Sequence, residues 1–430
     1  MRSNILSLLL FLNVSLWAQV PVPAPAQSKP ILLLGGKAHL GNGSVIENAA
    51  IAFEQGKLTL VADAATIKPD ASQYTIIDTT GKHIYPGFIM PAIDVGLGEV
   101  NSVKATLDNK ERGSLNPNVR SIVAYNTDSE VLPTLRFNGV LMAQSSPDGG
   151  TISGSSSVVQ LDAWNWEDAA YKTDDGIHLH WPGRMTRRFD RRTFRMGTAK
   201  NENYDREMAA LDELFNEASA YAGQAKHEKT NIKLAAMKGL FNGETGLFLY
   251  AKKAKAMIES VTFAKKHGVK RIVLVGANDA LLIKDFLLQH KIPLVLDSVH
   301  ANPTYSWSDV DEAYKRPAQL HEAGISFCLR HGSRTYGRNL AFYAGTAAAY
   351  GLPYEEAVRA ISLSTAEILG VGDRVGSLEV GKDATLFVSQ GDALDMRTNM
   401  LEHAFIQGRK ISVDGRQQAL FKRYQKKYKH

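Results

Sequence analysis

The sequence predicts an α/β protein: a (β/α)8 TIM barrel with a small β-sandwich built from both termini. Three observations carry that expectation. Both ends of the chain read as short apolar runs broken by glycine turns, the texture of antiparallel strands. The middle alternates short apolar runs with helical patterns, as parallel strands covered by helices require. The stretch between Pro86 and Gly370 has the length at which such an alternation closes into a barrel. With 430 residues, 44% hydrophobic and 22% charged, the chain is ordinary for a soluble globular protein but too long for one small core, so a large domain with a smaller companion is expected.

Taken in order, residues 1–18 have the build of a secretory signal. Arg2 supplies the positive start, and Ile5 to Trp17 form an apolar run too short to cross a bilayer. Export to the periplasm or the outside is therefore expected, with no membrane span. Residues 19–30 carry Pro21, Pro23, Pro25 and Pro30 and read as a stiff, extended tether. Residues 31–85 supply one half of the sandwich, with runs at Ile31–Leu34, Ala49–Phe53 and Leu58–Val61 and turns at Gly41-Asn42-Gly43 and Gln55-Gly56. Residues 371–415 supply the other half, from Gly376–Val380, Ala384–Ser389 and His403–Ile406. Between them, residues 86–370 hold strand-like runs at Arg271–Val275, Ile292–Leu296 and Ile325–Leu329, with helical patterns at Ala280–Gln289 and Pro317–Ala323. Residues 184–233 break this repeat and read as a charged helical insertion over one rim. Residues 416–430 form a basic tail whose aromatics, Phe421, Tyr424 and Tyr428, fall at helical spacing; docking on the barrel is the first reading, contact with an anionic surface the second.

The net charge of +6 does not point to nucleic acid. Lys422, Arg423, Lys426, Lys427 and Lys429 supply most of it, so the body is close to neutral. A second cluster, Arg184, Arg187, Arg188, Arg191, Arg192 and Arg195, has Phe189 and Phe194 interleaved and mimics an RNA-binding segment. In an exported chain a solvated face or a contact to an acidic neighbour is the better reading, and no nucleic-acid partner is expected. The single cysteine, Cys328, lies in an apolar run, has no intrachain disulfide partner and reads as a buried thiol.

Two segments carry a family resemblance. Tyr85-Pro86-Gly87-Phe88-Ile89, followed by Met90-Pro91-Ala92-Ile93-Asp94, is the first. The second is the ending Ser364-Thr365-Ala366-Glu367-Ile368-Leu369-Gly370 with Val375-Gly376-Ser377-Leu378-Glu379-Val380-Gly381-Lys382-Asp383-Ala384-Thr385-Leu386. Together they resemble the metal-dependent amidohydrolase superfamily, nearest its imidazolonepropionase-like branch, over nearly the whole mature chain. The resemblance implies hydrolysis of C–N bonds in cyclic amides or peptides. It also implies a divalent metal such as zinc, held by histidines from strands one, five and six, with an aspartate of strand eight accepting the proton of the metal-bound water.

In the family, Pro-Gly-Phe-Ile leads into Asp-x-His-x-His; here the two histidine positions carry Ala92 and Asp94. Tyr250, near the end of Gly246–Ala251, replaces the strand-five histidine, Val275 the strand-six histidine, and His331, within Phe327–Ser333, the aspartate. Tight binding needs three or four donors converging within about 2.0–2.3 Å. The expectation is no cofactor and an absent or very weak metal site.

Asp94 and His331 then stand as the candidate general-base pair, because strands one and eight become neighbours when the barrel closes. The glycine-rich segment Pro147 to Ser155 offers backbone amides with Ser153 and Ser155 for a carboxylate or oxyanion, against an equal reading as a structural turn. Tyr250 and His300, at strand ends, are further substrate-binding candidates, and His300 reads equally as a packed side chain. His178-Leu179-His180 has a His-x-His spacing that puts both imidazoles on one side of an extended segment, but lies outside the expected first strand, so rim or loop packing is preferred over metal binding. Two function classes remain: an amidohydrolase-type enzyme acting on a small-molecule amide or peptide through an altered site, and a non-catalytic pseudoenzyme keeping the barrel as a binding module or as partner subunit of an intact amidohydrolase.

Overall fold

The computed structural model describes residues 22–428 except 69, 192–193 and 225; the expected signal, residues 1–18, lies outside the described residues. The N-terminal strands are β1 (Ile31–His39), β2 (Val45–Glu54), β3 (Lys57–Asp63), β4 (Thr75–Asp78) and β5 (His83–Pro86). There follow β6 (Phe88–Ile93), β7 (Val140–Ser145), β8 (Ile152–Gln160), β9 (Ala170–His180), the pair β10 (Met185–Asp190) and β11 (Arg195–Lys200), then β12 (Gly246–Ala251), β13 (Ile272–Gly276), β14 (Leu294–Leu296) and β15 (Phe327–Leu329). The chain returns through β16 (Leu386–Ser389), β17 (Leu401–Ile406) and β18 (Arg409–Ile411).

Both termini do meet, but in one hydrogen-bonded sheet rather than a separate sandwich. Its path is β18-β17-β16-β5-β1-β2-β3, with β4 beside β1. The junction is β5, which pairs in parallel with β1 on one side and antiparallel with β16 on the other, so hydrogen bonding runs across from one chain end to the other. Leu33, Ile51, Phe53, Ile84, Leu386 and Phe405 bury one face. Gly376–Val380, expected as a strand, takes an irregular path.

The second sheet is a nearly closed barrel in the order β6-β7-β8-β9-β12-β13-β14-β15. Every neighbouring pair is parallel except those made by β8, which runs antiparallel to both β7 and β9. The strict (β/α)8 alternation is therefore interrupted there. No crossover helix separates β7 from β8; the loop between them turns on Gly149 (φ +87°) and Gly150 (φ +70°), and a short connection joins strands only antiparallel. Ile89, Met142, Phe248, Val273, Val275, Val295 and Cys328 fill the barrel interior. Close packing governs this layer. Gly176 of β9 lies opposite Gly246 of β12, and a Cβ on it would stand 2.3 Å from the Phe248 ring. Gly176→Ala is expected to cost about 1–3 kcal/mol through overpacking, read as a lowered midpoint in urea unfolding.

The segment 184–233 departs from its helical expectation in its first half. Beneath the charge lies a period of two, with Met185 and Phe189 on one side and Thr186 and Arg188 on the other, so Met185–Asp190 and Arg195–Lys200 form an antiparallel hairpin. Only then does a helix, Tyr204–Ala222, follow, burying Leu211, Leu214, Phe215 and Ala218. The proline-rich segment is not a free tether from residue 22 onward: the Ala24 amide donates to Asp162 Oδ2 at 2.9 Å and Gln27 Nε2 to the Phe53 carbonyl at 2.9 Å. The tail forms a helix, Arg416–Tyr428, with no buried residue, so it does not dock on the barrel as expected. Among the described residues no helix is long and apolar enough to cross a membrane.

Candidate functional site

The C-terminal ends of the barrel strands open on a cavity of about 410 Å³ lined by Ala92 in β6 and Asp94 just after it, Asp148, His180, Tyr250, Val275, Asp297 and Arg330, with Trp181 and Lys252. At its centre is Arg330, immediately after β15. Its Nε donates to Asp297 Oδ1 at 2.8 Å, Nη2 stands 2.7 Å from the same oxygen, and Nη1 donates to the Ala92 carbonyl at 2.6 Å. The guanidinium also lies 5.4 Å from the Tyr250 ring centre. Arg330 thus ties the last barrel strand to the first across the seam and to β14 beside it.

The backbone at Ala92 is shaped for that contact. Alanine there has φ +50°, a left-handed conformation uncommon for any side chain but glycine, and a register shift between Met90 and Ile93 marks the same place. Its amide donates to Gln144 Oε1 at 3.0 Å, which leaves its carbonyl facing the guanidinium. Gln144 Nε2 in turn donates to Asp175 Oδ2 at 2.7 Å, and Ser156 Oγ to Asp175 Oδ1 at 2.9 Å. Asp175 is wholly buried, and burial pushes its carboxyl up to about 6 despite these donors.

Each carboxylate at the mouth has a basic neighbour. Burial opposes the charge of Asp297, yet Arg330 and then Lys252, whose Nζ is 2.9 Å away, hold its carboxyl down at about 2. Asp94 pairs with Arg334 and accepts from Asn109 Nδ2 at 2.8 Å. Asp148 stands 3.2 Å from Lys110 Nζ and 3.8 Å from His180 Nε2. Burial lowers His180 and places His178 well below the ordinary histidine range, so both rings are neutral at pH 7. Both rings meet the Tyr250 side chain: His180 stacks on it at 4.2 Å, while His178 Nδ1 shares a hydrogen bond with the Tyr250 hydroxyl at 2.9 Å and its ring lies on Phe248 at 4.9 Å.

The sequence candidates fall into two groups. Tyr250 and Asp94 line the cavity, and His178-Leu179-His180 ends a barrel strand with His180 at the mouth. The others lie elsewhere. His331 Nδ1 accepts the Ser333 amide at 2.9 Å and its ring packs toward Tyr336 and Tyr343, so Asp94 and His331 are not joined as a hydrogen-bonded pair. Ser153 and Ser155 lie along β8, where Ser155 Oγ donates to Asp174 Oδ1 at 3.0 Å; only the start of their segment, Pro147 and Asp148, reaches the cavity. His300 shares a hydrogen bond with Thr346 Oγ1 at 2.7 Å on the outer side of the loop after β14.

The strand ends offer a divalent metal few side-chain donors. Among the described residues no group of three or more His, Cys, Asp or Glu side chains is placed to hold one. Ala92 offers no side-chain donor, Val275 is buried and apolar, and the Arg330 guanidinium occupies the position between the first, seventh and eighth strand ends. A fixed cation there repels a second. What lines the mouth is a charge-balanced set of Asp, Lys and Arg side chains with aromatic walls from His180, Trp181 and Tyr250.

The chain belongs to the amidohydrolase family, whose sequence profile matches residues 167–415, more than half of its length. No curated protein sequence matches it. Its fold is shared with an amidohydrolase from Thermotoga maritima at TM-score 0.76 and 20% identity, covering 89% of this chain and 99% of that one. It is also similar to a prolidase complexed with N-methylphosphonate-L-proline (TM-score 0.54, 17% identity, 89% and 100% covered). An adenosine deaminase from Xanthomonas campestris with bound zinc gives TM-score 0.53, 13% identity, and 94% and 98% covered. These identities speak for a common fold.

Proposed function

We propose that this chain is an exported amidohydrolase-family protein of the imidazolonepropionase-like branch that holds a small amide or peptide at its barrel mouth without metal-dependent hydrolysis. The observation that carries this reading is the Arg330 guanidinium, paired to Asp297 and Ala92, at the centre of the strand ends. Hydrolysis of an unactivated amide needs a strongly activated water, which in this family the metal supplies. Among the described residues neutral His180, 3.8 Å from Asp148, is the only lining imidazole, and general-base help alone contributes far less than a metal-bound hydroxide. The ligand class follows the family reaction and the peptide-directed relatives, a prolidase among them. The ending Val375 to Leu386 supports the branch assignment, and Met1 to Ala18 the export. A binding role alone or as companion subunit to a metal-bearing relative accords equally with this mouth.

The test is a metal analysis of protein reconstituted with zinc, joined to a hydrolysis screen of N-acyl amino acids, hydantoin rings and dipeptides. Metal far below one equivalent per chain and no turnover, with or without chelator, are expected. Near-stoichiometric zinc with turnover that disappears in Asp94→Ala would sink the reading.

A further inference from the structure

Two protruding elements remain outside this account, and they share one chemistry. Among the described residues the hairpin β10–β11 pairs with no other strand, although a lone two-stranded hairpin is marginal in water. Its large apolar side chains face solvent: Met185, Phe189, Met196 and Phe194 are 56%, 49%, 60% and 80% exposed. Phe194 has φ +51°, a costly backbone for an aromatic residue, and it sits at the turn with its ring 6.1 Å from that of Phe189. The tail helix repeats the pattern in another fold. Leu420, Phe421, Tyr424 and Tyr428 fall on one face and are 39–65% exposed, with Lys and Arg on the rest of the helix.

Charge marks the same two places. From Arg184 to Lys200 there are seven Lys and Arg against Asp190 alone, and from Arg416 onward six with no acidic residue. As the whole chain carries only +6, the remainder is net negative. Both elements also leave from one end of the barrel. The hairpin follows His180 at the mouth; Arg416 and Gln417 face Glu99 and Val100, beyond β6, and Thr335 and Arg338, beyond β15.

We infer that the hairpin and the tail helix seat the barrel mouth on an anionic phospholipid surface. A partner protein would need one surface complementary in shape to a hairpin and to a helix. A bilayer interface reads only the combination both elements carry, apolar side chains to insert and Lys or Arg for the headgroups. Each element alone is a weak anchor, and two on one rigid body reinforce one another.

The experiment is co-sedimentation of the full chain with vesicles of phosphatidylcholine and with vesicles of an equal mixture of phosphatidylcholine and phosphatidylglycerol. Binding to the anionic vesicles is expected to exceed binding to the neutral ones and to fall with added salt. Lys422→Gln/Lys426→Gln/Lys427→Gln is expected to weaken it roughly a hundredfold. Phe189→Ser/Phe194→Ser, exposed positions that leave the core untouched, should weaken it without changing the circular dichroism. Equal binding to both vesicle types, variants that bind like the parent, or a lipid-free dimer abolished by Phe189→Ser/Phe194→Ser would each overturn the inference, the last assigning the hairpin to a second copy of the chain.

Discussion

Arg330→Met is expected to destabilise the protein by about 3–5 kcal/mol, the loss seen when one partner of a buried ion pair is removed. The substitution keeps the apolar stem but leaves Asp297 with only the exposed Lys252 and the Ala92 carbonyl without its donor. It also opens the seam between β15 and β6, which the guanidinium bridges. Arg330→Met/Asp297→Leu is expected to recover much of the loss, because replacing both partners of a buried pair by apolar groups is often neutral. Urea unfolding of the parent, the two single variants and the double variant forms a cycle that reads the coupling directly. A single-variant loss within about 1 kcal/mol, the range of exposed pairs, would show that Arg330 is not the keystone of the mouth.

The cycle also speaks to the family question. If the guanidinium stabilises the strand ends, the barrel no longer depends on an ion for its mouth, and the fold persists with different chemistry at its centre. A chelator should then leave the unfolding midpoint of the parent unchanged.

Much of the architecture was legible from pattern. The strand expected at Gly246–Ala251 forms over those residues, and the runs around Arg271, Ile292 and Ile325 became β13, β14 and β15. The reversal at β8 was not, because all nine of its residues are buried and a strand buried on both faces carries no direction in its pattern. The hairpin at 185–200 was masked by its arginines, which drew the reading toward a helix although the period beneath was two.

At the site the family motif and the period of the strand point to different residues. The motif points to His331, one residue beyond the Arg330 side chain that enters the cavity. Counting by two along the barrel wall would have found it. Cys328 faces the barrel interior, so Arg330 does as well and His331 faces the helices; Val295 leads in the same way to Asp297, and Phe248 to Tyr250. Asp175 was beyond reach, since a carboxyl wholly enclosed by the sheet has no distinguishing neighbour in the sequence.

That buried carboxyl makes the second large prediction. Asp175 has a folded-state value of about 6 against 3.8 for an unperturbed aspartate, so its charge costs the folded state roughly 3 kcal/mol wherever it is ionised. The sign follows: a carboxyl raised by folding penalises stability fully above about pH 6, and the penalty disappears as pH falls toward the unfolded value near 4. His178 acts in the opposite sense, since it stays neutral when folded and takes up a proton on unfolding below its ordinary value, so stability falls with acid. The parent's pH profile therefore mixes both effects, whereas the difference between Asp175→Asn and the parent isolates the carboxyl. Asparagine keeps the shape but alters the bonds to Gln144 and Ser156, which adds an offset independent of pH. On top of that offset, the variant is expected to gain on the parent by roughly 3 kcal/mol between about pH 4 and pH 7, and to gain no more above it. Unfolding free energies of both proteins measured across that range supply the comparison. A difference that stays flat with pH would mean that burial does not raise the Asp175 carboxyl, and that the bonds from Gln144 and Ser156 offset its desolvation in full.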